Sequence, residues 1–110
     1  MKTKPGSRKS QLREILRERA LTVLFQPVIH LGRQAIIGYE ACIRGPESSD
    51  LYLQKTLYEV ALEHDRLIDL DYLSRELIIT RFTALNLPGL LFITVNPHSF
   101  SDRLFIPGKT

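Results

Sequence analysis

The segment Ala35–Ile43 constrains the fold more than any other, because it is apolar at odd and even positions alike except for Tyr39 and Glu40. Side chains alternate between the two faces of a strand, so such a strand is expected to be covered on both faces. Glu40 is the anomaly, since burying an ionised carboxylate costs several kcal/mol unless a cation, a partner or hydrogen bonds offset it.

The preceding segment predicts a second strand and a helix before it. Leu21–Leu31 is rich in strand-forming residues, and Gly32 with Arg33 supplies a turn, so the two strands form a predicted hairpin. Upstream, apolar residues at helical spacing predict a short surface helix over 10–20 with Ser10 as N-cap. Residues 1–9 are basic and lack apolar periodicity, so we expect a disordered leader there and a folded part over 10–110.

The second half of the chain alternates helical and strand patterns. Helical periodicity predicts helices over about 51–64 and over Leu70–Leu85, the latter ended by the breaker sequence Asn86–Gly89. Leu90–Val95 is a continuous apolar run and predicts a third strand. This order indicates the α/β class, with helices packed outside a sheet that lacks further strands after Asn96.

Composition restricts the compartment and the partners. The single cysteine, Cys42, cannot form an internal disulfide, which fits a reducing cytoplasm. Neither a signal peptide nor an apolar run of roughly 20 residues is present, so we expect a cytoplasmic chain without membrane contact.

The net charge of +3 is unevenly distributed. Residues 1–20 hold seven Lys and Arg against two Glu, a local balance of +5, whereas the remaining 90 residues sum to −2. Because the basic residues are not interleaved with base-stacking aromatics, we do not expect nucleic-acid binding.

Three polar side chains are candidates for a site, and each has an alternative. Glu40 is either half of an internal ion pair with Arg44 or a metal ligand beside a phosphate-binding arginine. Asn96 follows an apolar strand, where α/β folds place functional groups, but asparagine before proline is also a common turn residue. Gln26 before Pro27 could equally satisfy backbone groups.

The remaining reactive residue types are not expected to be catalytic. Cys42 in an apolar strand is interpreted as a small core residue. The histidines lie at a turn, a helix end and a loop, and the late serines lack the glycines of a nucleophile elbow. These residues are His30, His64, His98, Ser99 and Ser101.

Two segments resemble the opening of an EAL domain, the bacterial cyclic-di-GMP phosphodiesterase family. Phe25–Val28 resembles the family's aromatic-Gln-Pro-Ile strand, and Glu40–Arg44 follows fourteen residues after Gln26. Gly38, Glu40 and Ala41 match the Gly-x-Glu-Ala-Leu-x-Arg signature, while Cys42 replaces its leucine.

Further landmarks occur in the family's order. They are the helix with Ala61, the Leu70-Asp71 pair and Val95-Asn96-Pro97. Arg44-Gly45-Pro46 resembles the subgroup in which an EAL domain adjoins CBS and GGDEF domains.

The resemblance implies a partial (β/α)8 barrel that carries part of a site. Glu40 and Asn96 would be two ligands of the catalytic Mg²⁺ or Mn²⁺, and Gln26 and Arg44 would contact cyclic di-GMP. In family members a metal-activated water hydrolyses cyclic di-GMP to pGpG in bacterial signalling.

The family's remaining metal ligands would follow this segment. A complete barrel needs about 250 residues, whereas this chain has 110. We therefore expect a truncated EAL domain, a hydrolase fragment that is inactive alone and binds the metal weakly or not at all. The alternative is a non-catalytic EAL-like module for dimerisation or regulation of cyclic-di-GMP signalling. In either case an exposed sheet edge would favour a homo-oligomer or pairing with the missing half of the barrel.

Overall fold

The computed structural model of the protein describes residues 6–93, which form three helices and three strands. In chain order the elements are α1 (Arg8–Glu18), β1 (Thr22–His30), β2 (Ala35–Arg44), α2 (Gln54–Glu63), α3 (Leu67–Leu85) and β3 (Leu90–Ile93).

The strands form one mixed sheet in the order β1-β2-β3. β1 and β2 pair antiparallel across the turn 31–34, which confirms the predicted hairpin, and β3 adds to β2 in parallel. The α/β class is confirmed. The described residues form an open three-stranded sheet rather than a closed barrel, and β1 runs against its neighbour instead of parallel to it as in a regular (β/α)8 barrel.

The helices cover one face of this sheet. Phe25 of β1 packs its ring against Phe82 of α3, with the ring centroids 5.8 Å apart and the planes inclined by 58°. Such tilted pairs contribute stabilisation beyond that from the apolar area that the two rings bury. The core between sheet and helices consists of Leu12, Ile15, Ala41, Ile43, Leu51, Leu57, Val60, Ala61, Leu70 and Ile78.

Helix α1 starts slightly before the predicted point. Ser7 is its N-cap, and its hydroxyl accepts a hydrogen bond from the Ser10 amide at 3.1 Å, so the prediction of Ser10 as N-cap is wrong. Gln11 explains the earlier start. Its side-chain amide donates to the Gly6 carbonyl at 2.7 Å, and its side-chain carbonyl accepts from the Asp50 amide at 3.0 Å. The first turn of the helix is thereby tied to the loop after β2.

Two glycines allow the parallel strand to dock. Gly38 lies so close to β3 that a Cβ atom there would meet the Leu90 carbonyl oxygen at 2.2 Å. Gly89, just before β3, has a φ of +88°, and a Cβ there would lie 2.6 Å from the Ile37 carbonyl oxygen. Side-chain-free backbone on both sides of this contact is what lets the two strands approach.

The other face of the sheet, here called the open face, carries the alternate residues of each strand. The open face consists of Thr22, Leu24, Gln26, Val28, Gly38, Glu40, Cys42, Arg44, Leu90 and Phe92. No described element packs on it, and Glu40 is exposed. The prediction that β2 is covered on both faces is therefore wrong for the described residues, and Glu40 has no burial cost to offset.

Candidate functional site

Two of the predicted site residues are direct partners in the sheet. Gln26 of β1 lies opposite Glu40 of β2, and Glu40 lies opposite Phe92 of β3. Side chains at paired positions project from the same face with their Cβ atoms about 5 Å apart. The side chains of Gln26 and Glu40 are therefore neighbours on the open face.

A β-bulge creates this pairing. Near the turn, Ile29 pairs with Ile36, but beyond the bulge Val28 pairs with Gly38, so Ile37 is an extra residue on β2. Without the extra residue Glu40 would lie opposite Phe25 on the face that the helices cover, because a one-residue slip exchanges the two faces of a strand.

Arg44 lies on the same face at the carboxyl end of β2. It lies four positions after Glu40 in the strand, which corresponds to a Cα distance of about 13 Å. Its Nη1 donates to the Ile43 carbonyl at 2.9 Å, and among the described residues it makes no ion pair with Glu40. The internal ion pair considered from the sequence is therefore not formed.

The described residues do not complete a metal site. No group of three or more His, Cys, Asp or Glu side chains among them could hold a metal ion. Glu40 is the one carboxylate on the described open face, whereas Mg²⁺ and Ca²⁺ take about six or more oxygen ligands. Asn96, the second predicted ligand, lies outside the described residues.

A side chain that sequence reasoning missed fixes the carboxyl end of β2. Gln54, the first residue of α2, accepts a hydrogen bond from the Ile43 amide through Oε1 at 2.7 Å. Ile43 lies beyond the last β2 residue that pairs with β3 within the described residues, and Gln54 supplies the acceptor for its amide. The backbone immediately before Arg44 is thereby held. A glutamine in a helix start gives no sequence signal for this role.

The Leu70-Asp71 landmark has a structural explanation. Leu70 is fully buried in the core, and Asp71 accepts a hydrogen bond from the Tyr58 hydroxyl at 3.2 Å. Burial, reinforced by the charge of Asp71, raises the pKa of Tyr58 to about 12. The neutral phenol therefore remains a hydrogen-bond donor that ties α2 to α3 across the physiological pH range.

The other reactive residue types lie apart from the open face or are half-buried in it. His30 Nδ1 accepts from the Arg33 amide in the hairpin turn at 3.1 Å, and His64 is the C-cap of α2. Cys42 is a half-buried free thiol on β2. His98, Ser99 and Ser101 lie outside the described residues. No described helix is long and apolar enough to cross a membrane.

Comparison with known proteins finds a solved structure with a similar fold. Neither a protein-family model nor a curated protein matches the sequence. Among solved structures, the chain is similar to the FimX EAL domain of Xanthomonas citri in complex with c-diGMP, with a TM-score of 0.66 and 26% sequence identity. The fold is EAL-like.

The match covers most of this chain but little of its neighbour. It extends over 86% of the chain and 38% of the Xanthomonas EAL domain. The EAL-like sheet is thus seen here without the greater part of the domain to which it is similar. Membership of the subgroup with CBS and GGDEF domains stays a prediction from Arg44-Gly45-Pro46.

Proposed function

We propose that this chain is the N-terminal portion of an EAL domain related to the cyclic-di-GMP phosphodiesterases. In this proposal the open face recognises cyclic di-GMP, and the 110 residues do not hydrolyse it by themselves. The observation that carries the proposal is the pairing of Gln26 with Glu40, with Arg44 on the same face of an EAL-like sheet. The structural neighbour with this fold was solved with c-diGMP.

Each side chain has a chemistry that suits the ligand. The Arg44 guanidinium offers several donors to a phosphate, and the Gln26 amide can donate to and accept from a guanine edge. Glu40 and Asn96 would supply hard oxygen ligands to Mg²⁺ or Mn²⁺.

The expected inactivity follows from the donor count. In two-metal phosphodiester hydrolysis, one pair of cations activates the water and stabilises both the attacking and the leaving oxygens. The described open face offers one carboxylate to such a pair, so further ligands would have to come from outside the described residues. We expect binding without turnover.

Calorimetric titration of the purified chain with cyclic di-GMP, with and without Mg²⁺, tests this function. We expect Arg44→Ala to weaken binding by about ten- to a hundredfold, since a hydrogen bond to a charged group contributes about 1.5–3 kcal/mol. We expect Glu40→Ala to abolish any gain in affinity from Mg²⁺. Arg33→Ala and Glu47→Ala, both exposed and outside the open face, are the matched controls.

Three outcomes of this titration would count against the proposal. Absence of heat with the unsubstituted chain would contradict recognition, as would equal losses in the control variants. Metal-dependent conversion of cyclic di-GMP to pGpG by the purified chain would contradict the expected inactivity.

A second candidate function, a non-catalytic module that dimerises, is favoured by apolar exposure on the open face. Leu24 is 42% exposed and Leu90 is 60% exposed, although both lie in strands. Large apolar side chains left exposed on one face of a sheet are typical of interaction sites. We expect sedimentation velocity to reveal concentration-dependent association that Leu24→Lys with Leu90→Lys removes. A monomer at every concentration would exclude this module.

A further inference from the structure

A groove of about 540 Å³ lies between α1 and α3, and it is here called the arginine groove. Four arginines and two acidic residues line it, together with Leu16, Tyr72 and Leu73. None of these residues belongs to the sheet, so the groove is separate from the open face proposed to bind cyclic di-GMP.

The residues that line the arginine groove carry a net positive charge. Arg19 forms an ion pair with Glu76, and Arg66 pairs with Asp69 at 3.1 Å. These two acidic residues offset two of the four arginines that line the groove, which leaves a lining charge of +2. Arg13 has no ion pair among the described residues, and the Arg17 partner Glu18 lies outside the lining.

The floor of the arginine groove is apolar, and the aromatic ring of Tyr72 also lines the groove. Leu73 is 8% exposed and Leu16 is half-buried, whereas Tyr72 is 71% exposed despite its size. Aromatic and arginine side chains around an apolar floor are the residue types that are enriched at protein interfaces. A surface that attracts ligands by charge alone would not need the apolar and aromatic side chains of Leu16, Tyr72 and Leu73.

Arg19 adds a second observation from the backbone. It is the C-cap of α1 in the left-handed conformation, with a φ of 56°. Glycine is the residue that adopts this conformation without cost, so an arginine at this position is destabilising relative to glycine. The side chain of Arg19 forms an ion pair with Glu76 of α3, and both residues line the groove.

We propose that the arginine groove binds an acidic segment of a partner protein, with its carboxylates on the arginines and an apolar side chain on the floor. Charge complementarity selects an acidic partner, and the apolar floor selects a segment that also carries leucine or similar residues.

A membrane surface fits the same groove poorly. The apolar residues of α1 that could insert into lipid, Leu12 and Ile15, are 1% and 3% exposed because they fill the core. An interfacial helix needs its apolar face free. A protein partner needs only the groove itself.

Fluorescence anisotropy of the full chain with a labelled helical peptide, rich in Glu with Leu at every third or fourth position, tests this proposal. We expect binding that weakens with salt. Arg13→Gln with Arg17→Gln should weaken it about tenfold, from roughly 0.7 kcal/mol for each ion pair lost. Glutamine keeps the helix propensity of arginine, so α1 should remain folded.

Matched controls separate the groove from general electrostatics. Lys55→Gln with Arg81→Gln removes the same charge from exposed positions of α2 and α3 outside the groove, and affinity should change less than about twofold. Tyr72→Ala changes no charge and should weaken binding about threefold or more, from lost aromatic contact. A peptide of the same composition with its leucines scrambled should bind more weakly than the amphipathic peptide.

The opposite results would overturn the proposal. Equal losses in the two glutamine double variants, or equal affinity for the scrambled peptide, would indicate non-specific charge attraction. Tighter binding of phosphatidylserine vesicles or of single-stranded DNA, with the same dependence on Arg13 and Arg17, would assign the groove to that ligand class instead.

Discussion

Replacing Gly38 with alanine is expected to destabilise the protein by about 3 kcal/mol, because the new Cβ atom would lie 2.2 Å from the Leu90 carbonyl oxygen. The obstacle is backbone, which cannot rotate away as a side chain does. Gly38 opens the pairing of β2 with β3. We therefore expect β3 to shift or detach, with a lower cooperativity of unfolding as well as a lower midpoint.

Urea denaturation followed by circular dichroism measures this effect, and Gly32→Ala is the matched control. A Cβ at Gly32 would meet only the His30 ring, with the nearest atom at 3.2 Å, and that exposed side chain can move. We expect the control to change the unfolding free energy by less than about 0.5 kcal/mol. If the two alanine variants were equally stable, the close approach of β3 to Gly38 would be contradicted.

Replacing Leu57 with alanine is expected to lower the free energy of unfolding by about 3 kcal/mol. This value lies within the range measured for the same substitution of fully buried leucines in other proteins. Leu57 is 0% exposed and belongs to the core between the helices and the sheet. The open face leaves the sheet with one buried side in the described part of the chain. We expect the free energy of unfolding of the unsubstituted protein to be small, so that the variant is largely unfolded at moderate temperature.

The same substitution on the opposite side of the same helix isolates burial from helix propensity. Leu62 of α2 is 46% exposed, and Leu62→Ala is expected to cost less than about 1 kcal/mol. Thermal denaturation of both variants at one protein concentration gives the comparison. Similar losses at the two positions would indicate that helix propensity, rather than core packing, limits the stability of α2.

Much of the fold follows from local patterns in the sequence. The strand-forming runs on either side of Gly32 predict the hairpin, and helical periodicity predicts α2 and α3 to within a few residues. Asn86 ends α3 in the left-handed conformation, as the breaker sequence indicates. These features depend on residues close to one another along the chain, which is why the sequence is sufficient to predict them.

The open face could not be predicted in the same way. An apolar pattern on both parities of β2 indicates that both faces suit burial, but it does not say which segment covers each face. Glu40 was interpreted as buried for this reason and is exposed in the structure. Burial is a tertiary property, and the pattern of one strand constrains it only in part.

The candidate site could be predicted from the sequence in part. The resemblance to EAL domains selects Gln26, Glu40 and Arg44, and the structure brings the first two together. The extra residue Ile37, which sets this register, has no distinctive sequence pattern. Gln54 was missed because a hydrogen bond to the Ile43 amide depends on how α2 docks. The role of Asn96 stays a prediction.

The parallel addition of β3 has a consequence for the order in which the chain gains structure. β1 and β2 pair across the short turn 31–34. Gly38 of β2 can pair with Leu90 of β3 only after α2 and α3, which lie between them in the chain, have been synthesised and packed against the sheet. Closing the longer loop costs more chain entropy before any contact offsets it. During synthesis the hairpin can therefore form well before β3 emerges, and until then the hairpin exposes the β2 edge that β3 later occupies.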